Sequence, residues 1–127
     1  MSTLQVETIK NPTSLNTVNS EQLVQGSATA WVNFNGTGTV AIRDSYNVSS
    51  ITDTGVGRYD INYGITMGNN TYVSHLSSNT YGSDTATAQP QKAASFLHTT
   101  TNCKLILQDS SSAIDPYYVS FTMFGGL

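Results

Sequence analysis

Ala28-Thr29-Ala30-Trp31-Val32-Asn33-Phe34-Asn35-Gly36-Thr37-Gly38-Thr39-Val40-Ala41-Ile42 is the stretch that decides the fold. Successive side chains of a strand point to opposite faces. Ala28, Ala30, Val32 and Phe34 therefore share one face, and Thr29, Trp31 and Asn33 the other. Asn35-Gly36-Thr37-Gly38 interrupts the alternation, and an Asn-Gly pair supports the positive φ angles of a hairpin. The reading is two antiparallel strands joined by a turn, with one packed face and one wetter face.

The same two-residue period recurs further along, while helical periodicity is nearly absent. Tyr59, Ile61, Tyr63 and Ile65 are expected on one side of a strand, opposite Arg58, Asp60 and Asn62. Tyr117, Val119, Phe121 and Met123 are expected to oppose Ser120 and Thr122. Turn-rich pieces separate the runs: Asp53-Thr54-Gly55-Val56-Gly57, Met67-Gly68-Asn69-Asn70, Ser110-Ser111-Ser112 and Asp115-Pro116. Short strands at roughly ten-residue spacing predict an all-β fold, an antiparallel β-sandwich or barrel-like single domain. It is expected over residues 28–127, preceded by an N-terminal extended arm and linker over 1–27 with a short turn of helix near Glu21-Gln22-Leu23. Residues 77–94 are a second irregular stretch, and a loop of that length in a compact domain is usually functional or mobile.

Composition narrows the function. The 127 residues suit one domain. Charged residues are only 10% of the chain, and their place is taken by 16 Ser, 18 Thr and 11 Asn. Such side chains solvate a surface without charge repulsion, and Thr also suits strands. The net charge of −3 and the seven Tyr, four Phe and one Trp speak for a folded protein rather than a disordered one. The five cations, Lys10, Arg43, Arg58, Lys92 and Lys104, are scattered. That argues against nucleic acid and against a basic membrane-binding patch as partners. No apolar run approaches a signal h-region or a membrane span, so the expectation is a soluble protein made in a cytoplasm.

Groups able to carry catalysis are sparse. Cys103, in the strand-like run Asn102–Leu107, is the single cysteine, which leaves no intrachain disulfide and no cysteine metal cluster and favours a small buried hydrophobe. His75 and His98 have no metal-ligand spacing, and no Gly-x-Ser-x-Gly elbow occurs. Asp44, Asp53 and Asp60 lie at strand ends or beside turns, where Asp caps backbone. A glycosidase using Asp44 or Asp60 stays as a rival reading. No cofactor is expected. Tyr46, Tyr72, Tyr81 and Tyr118 are candidates for outer faces or loops, where tyrosines stack on sugars or fill interfaces. Tyr72 and Tyr81 are taken as the surface-recognition pair, with the loops at 66–70 and 77–94 facing outward. Leu4-Gln5-Val6-Glu7-Thr8-Ile9 is amphipathic and extended. It is read either as a segment that docks onto a neighbouring subunit or larger particle, or as an edge strand of its own domain.

One run is distinctive: Ala30-Trp31-Val32-Asn33-Phe34-Asn35-Gly36-Thr37-Gly38-Thr39-Val40-Ala41-Ile42-Arg43-Asp44-Ser45-Tyr46-Asn47-Val48-Ser49-Ser50-Ile51-Thr52-Asp53. It resembles a module of tail-fibre and other virion proteins of bacteriophages, especially marine ones. Met1–Val6 through Ile9 looks like the opening of such proteins. Gly57–Tyr63 is similar to the family's next strand, and Asp115–Ser120 through Phe124-Gly125 to its closing strand. The resemblance covers most of 1–10 and 28–127. It implies a non-enzymatic structural protein of the virion, made in the host bacterial cytoplasm and trimeric, with no catalytic residues to transfer. The chain lacks the shaft of repeats and the large anchoring domain of a long fibre, which leaves a short tail fibre or tip, or a capsid decoration (cement) protein. The partners implied are further copies of the chain, capsid or tail proteins, and a host surface glycan. Leu4, Val6, Ile9, Trp31 and Phe124 are the expected subunit or particle contacts. A small carbohydrate-binding module is the alternative.

Overall fold

A computed structural model describes residues 2–10, 17–79, 93–108 and 112–127. Tyr81, Lys92, Ser110-Ser111 and most of the 77–94 loop lie outside the described residues. In chain order the elements are β1 (Thr8–Lys10), β2 (Thr17–Asn19), α1 (Ser20–Gly26), β3 (Ala28–Asn35), β4 (Ala41–Tyr46), β5 (Val48–Gly55), β6 (Arg58–Tyr63), β7 (Val73–Asn79), β8 (Ala93–His98), β9 (Asn102–Gln108) and β10 (Tyr118–Phe124).

Eight strands form two four-stranded antiparallel sheets, ordered β4-β3-β10-β7 and β5-β6-β9-β8. The fold is a sandwich; neither sheet closes into a barrel. Its core is built from the alternating inward positions of the four central strands. Ala30, Val32 and Phe34 come from β3, and Val119, Phe121 and Met123 from β10. Facing them are Tyr59, Ile61 and Tyr63 from β6 and Cys103, Leu105 and Leu107 from β9. Phe34 meets Tyr59 edge-to-face at 5.2 Å, the arrangement favoured by the ring quadrupoles.

Two inward assignments stop short of expectation. Ile65 is exposed, because β6 ends at Tyr63 and the chain bends away at Gly64-Ile65. Tyr117 is exposed too, because the Asp115-Pro116 turn delays the strand to Tyr118. The expected hairpin joins β3 to β4, but its positive φ lies at Gly38 (62°) and not at the Asn-Gly pair. Gly36 is needed for closeness instead. A Cβ there would stand 2.6 Å from the Tyr59 hydroxyl and 2.8 Å from the Pro116 carbonyl oxygen.

Two features hold the sheets in register. Asn47, with φ 55°, turns the chain from β4 in the first sheet to β5 in the second. Its side-chain amide donates to the Thr29 carbonyl at 2.9 Å, which offsets the cost of left-handed backbone in a non-glycine residue. Gly57 (φ 66°) closes the β5–β6 turn against the Leu107 and Ile114 backbone, a space with no room for a Cβ. Its N–H donates to Asp115 Oδ1 at 2.7 Å, and the Tyr59 hydroxyl donates to the same oxygen at 2.8 Å. Burial and the neighbouring carboxylate push the Tyr59 phenol well above its ordinary range.

The first 27 residues are organised differently. β1 pairs with β2 in a two-stranded sheet of its own rather than with an edge of the sandwich. Asn19 then caps α1 in a complete capping box: its side chain accepts from Gln22 N at 2.7 Å, and its own N–H donates to Gln22 Oε1 at 3.0 Å. α1 contains no buried residue.

Candidate interaction site

The two outer faces of the sandwich differ in chemistry. On the β5-β6-β9-β8 sheet, Asp60 pairs with Lys104 at 3.6 Å, and the Asn62 amide donates to the Ser50 and Thr52 hydroxyls. Arg58 and Gln108 stand in the same layer. This face is mainly polar, with Leu97 exposed beside Lys104 and Ile106 beside Arg58.

The outer face of β4-β3-β10-β7 is aromatic. Register places Tyr46, Trp31, Thr122 and His75 in one row across the four strands. The next row holds Asp44, Asn33, Ser120 and Ser77, and the row after that Tyr118 and Asn79. Tyr46 is 53% exposed and Tyr118 41%, while Trp31 is half-buried. Along β10 the outward side chains run Tyr118, Ser120, Thr122, Phe124, with aromatic ends and a polar middle.

That polar middle is held in place. Asn33 Nδ2 donates to the Ser120 hydroxyl at 2.8 Å. A bulge in the β3–β4 register lets Arg43 reach across β3, where it donates to Asn33 Oδ1 at 3.3 Å and to the Tyr117 carbonyl at 2.8 Å. Its guanidinium stands over both the Tyr117 and Tyr118 rings, 4.8 and 4.2 Å from their centroids. Such stacking fixes ring orientation at an exposed site.

At the end of this face, Tyr46 also lines an open groove of about 320 Å³ with Leu23 and Val24 of α1, Ala28, Thr29, Asn47 and Leu127. Among the described residues, the apolar side chains of the arm are exposed. Leu4 is 86% exposed, and Val6, Ile9, Val18, Leu23 and Val24 are exposed as well.

The sequence-predicted contacts thus separate into two groups. Leu4, Val6 and Ile9 are exposed on the arm, and Trp31 and Phe124 stand on the aromatic sheet face. Tyr72 is a correction. It is 4% exposed, and its hydroxyl accepts from Tyr63 at 2.7 Å while facing the Thr99 and Asn102 carbonyls at 3.1 and 3.2 Å. It lies between the Met67–Asn70 loop and β7, where its ring fills the end of the core, so it cannot serve as a recognition surface. Tyr81 lies outside the described residues.

Cys103 sits beside the Tyr63 and Tyr72 hydroxyls, and burial pushes its thiol up to about 12. A thiol so held is not a thiolate nucleophile at neutral pH. Asp44, Asp53 and Asp60 are dispersed rather than clustered. Asp44 is on the first sheet and accepts from Ser45 N; Asp53 accepts from Gly55 N; Asp60 pairs with Lys104.

Sequence reasoning missed the Ser74–His98 contact, in which the hydroxyl and Nε2 are 2.9 Å apart. It joins edge strands β7 and β8 of opposite sheets, and the imidazole stacks on Tyr72 at 4.4 Å. It also missed the Arg43–Tyr117–Tyr118 cluster, which depends on a bulge that period-two reading passes over. Among the described residues, no group of three His, Cys, Asp or Glu side chains could hold a metal, and no helix is long and apolar enough to cross a membrane. Comparisons with family models, with curated proteins and with solved structures find no match to this chain.

Proposed function

We propose that this chain is a non-enzymatic structural subunit of a bacteriophage particle, displayed on its surface and assembled as an oligomer. A short tail fibre or tip and a capsid decoration protein are the two placements this allows, and the trimer is the order that the family resemblance suggests. The observation that carries the assembly reading is the arm. Leu4, Val6, Ile9, Val18, Leu23 and Val24 are all exposed apolar side chains of the first 27 residues, and α1 contains no buried residue.

A two-stranded hairpin and a seven-residue helix do not hold together in water without a covering surface. Ordering them costs conformational entropy that only further burial can offset. Copies of the chain, or a capsid or tail protein, supply that surface. The low charge of the chain suits this role, since contacts that do not rest on ion pairs are little affected by salt.

Two measurements test the proposal. Light scattering on the full chain at micromolar concentration should give an oligomer. The triple variant Leu4→Asp, Val6→Asp, Ile9→Asp should be a monomer with an unchanged sandwich melting temperature. Antibodies to the chain should also decorate intact particles released by the producing host. A wild-type monomer together with particles that remain unlabelled would end this reading.

A further inference from the structure

We infer that the N-terminal segment Ser2–Val6 of one copy of the chain adds as an antiparallel strand to the outer edge of β7 in a second copy. The inference rests on the assembly reading above and goes one step further, naming the partner and the strand that receives it.

The four edge strands of the sandwich are not alike. On one side, β4 carries Arg43 and Asp44, and its pairing with β3 is broken by a register shift. β5 carries Asp53, and its pairing with β6 shifts twice. Charges and bulges of this kind keep an edge from pairing with another chain. On the other side, β7 pairs with β10 over seven residues with no shift. It contains no Lys, Arg, Asp, Glu or Pro. Among the described residues, no strand pairs with its outer edge. An even, uncharged edge presents a row of backbone donors and acceptors to an added strand. β8, on the same side, is also uncharged, but its outward Leu97 stands beside Lys104. At β7 the neighbour is apolar. Val73 is 70% exposed and shares a row with Phe124, itself exposed.

The segment Ser2–Val6 suits that edge. It is exposed throughout, and in its own copy it belongs to no strand or helix. It too has no charged residue and no proline. At about 3.4 Å per residue its length matches that of Val73–Ser77. Placed antiparallel with Val6 beside Val73, Leu4 comes beside His75 and Ser2 beside Ser77. Val6 then extends the row of Phe124 and Val73, and the two most exposed side chains of arm and edge, Leu4 and Val73, come under cover together. On the opposite face Gln5 falls beside Ser74, polar against polar. Each copy gives one segment and receives one, so the contact is heterologous. A closed ring, the trimer included, uses every segment and every edge once.

The test is cross-linking between two singly substituted full chains, Leu4→Cys and His75→Cys, co-expressed with different tags and treated with a short bismaleimide. Cys103 is buried and gives no background. A covalent dimer carrying both tags should form, and Leu4→Cys with Asn62→Cys, on the opposite sheet, should give none. Val73→Lys sets a charge on the edge and should weaken association about tenfold or more in light scattering. Ala41→Lys, on the guarded β4 edge, should leave association unchanged. Val73 is exposed enough that its replacement leaves the fold intact, which thermal melting checks. An oligomer that gives no mixed dimer, or that Val73→Lys leaves intact, overturns the inference while the assembly reading stands. Cross-linking of His75→Cys to itself in place of Leu4→Cys overturns it too, in favour of direct pairing between two β7 edges. A wild-type monomer overturns it outright, and the labelling of particles then decides the assembly reading separately.

Discussion

The sandwich and the arm are made from the same kind of sequence, short runs of alternating side chains, yet they end in opposite states. In the sandwich, strands β3, β6, β9 and β10 bring their apolar faces together, so that Phe34, Tyr59, Ile61, Leu105, Leu107 and Phe121 are shut away from water. In the arm, β1 and β2 pair with each other and with no strand of the sandwich among the described residues, and Ile9 and Val18, paired across them, remain exposed. Alternation creates an apolar face in both places. Only a second layer turns that face into stability, and among the described residues β1 and β2 have no second sheet against them.

Three perturbations would break or sharpen this contrast. The largest effect belongs to the core. Phe34→Ala should cost about 3–5 kcal/mol in chemical denaturation, from lost burial and from the cavity left against Tyr59. A cost below about 1 kcal/mol would mean that the layers are not packed as described.

Alkali should act next, and on the sandwich alone. Cys103, Tyr59, Tyr63 and Tyr72 all have folded-state pKa values raised, mainly by burial. Below the unfolded-chain values these groups are protonated in both states, and stability does not depend on them. Above those values, 9.0 for the thiol and 10.0 for the phenols, the unfolded chain releases protons that the native chain keeps. Stability should therefore fall as pH rises from about 9, each group adding up to about 1.4 kcal/mol per pH unit to the slope. Denaturation curves at pH 7, 9 and 10.5 measure it, and equal midpoints at all three would contradict the burial of the tyrosine cluster. Cys103→Ala should remove the earliest part of the loss.

The smallest effect belongs to the arm. Asn19→Ala removes the capping box and should cost α1 about 1 kcal/mol, read as reduced helical ellipticity. The sandwich midpoint should stay where it is. A matching drop in that midpoint would show that arm and sandwich unfold as one unit.

Much of the fold was legible beforehand because the period of a strand is local. Ala30, Val32 and Phe34 could be assigned to the core from their spacing, as could Val119, Phe121 and Met123. Errors fell at strand ends. Ile65 and Tyr117 continue a pattern on paper after the backbone has already turned. Asn35-Gly36 read as the turn, although the positive φ went to Gly38 and Gly36 was wanted for its missing Cβ. The interaction surface was less legible. Trp31 and Phe124 could be named as outward-facing from period alone, but Tyr72 could not be told from Tyr46, since both flank turns and only the contacts of Tyr72 with Tyr63, His98 and the Thr99–Asn102 turn bury one of them.

By itself, then, the amino-acid sequence determined which side chains share a face, where the chain must turn, and that its surface is polar without being charged. Those properties follow from local geometry and from composition. The tertiary structure alone decided which face meets which. It chose a sandwich over a barrel, gathered Arg43 with Tyr117, 74 residues away in the chain, and Tyr118, and left the described apolar side chains of the arm exposed. Pairing of distant strands depends on the summed burial of every face at once, and no short stretch of sequence contains that sum.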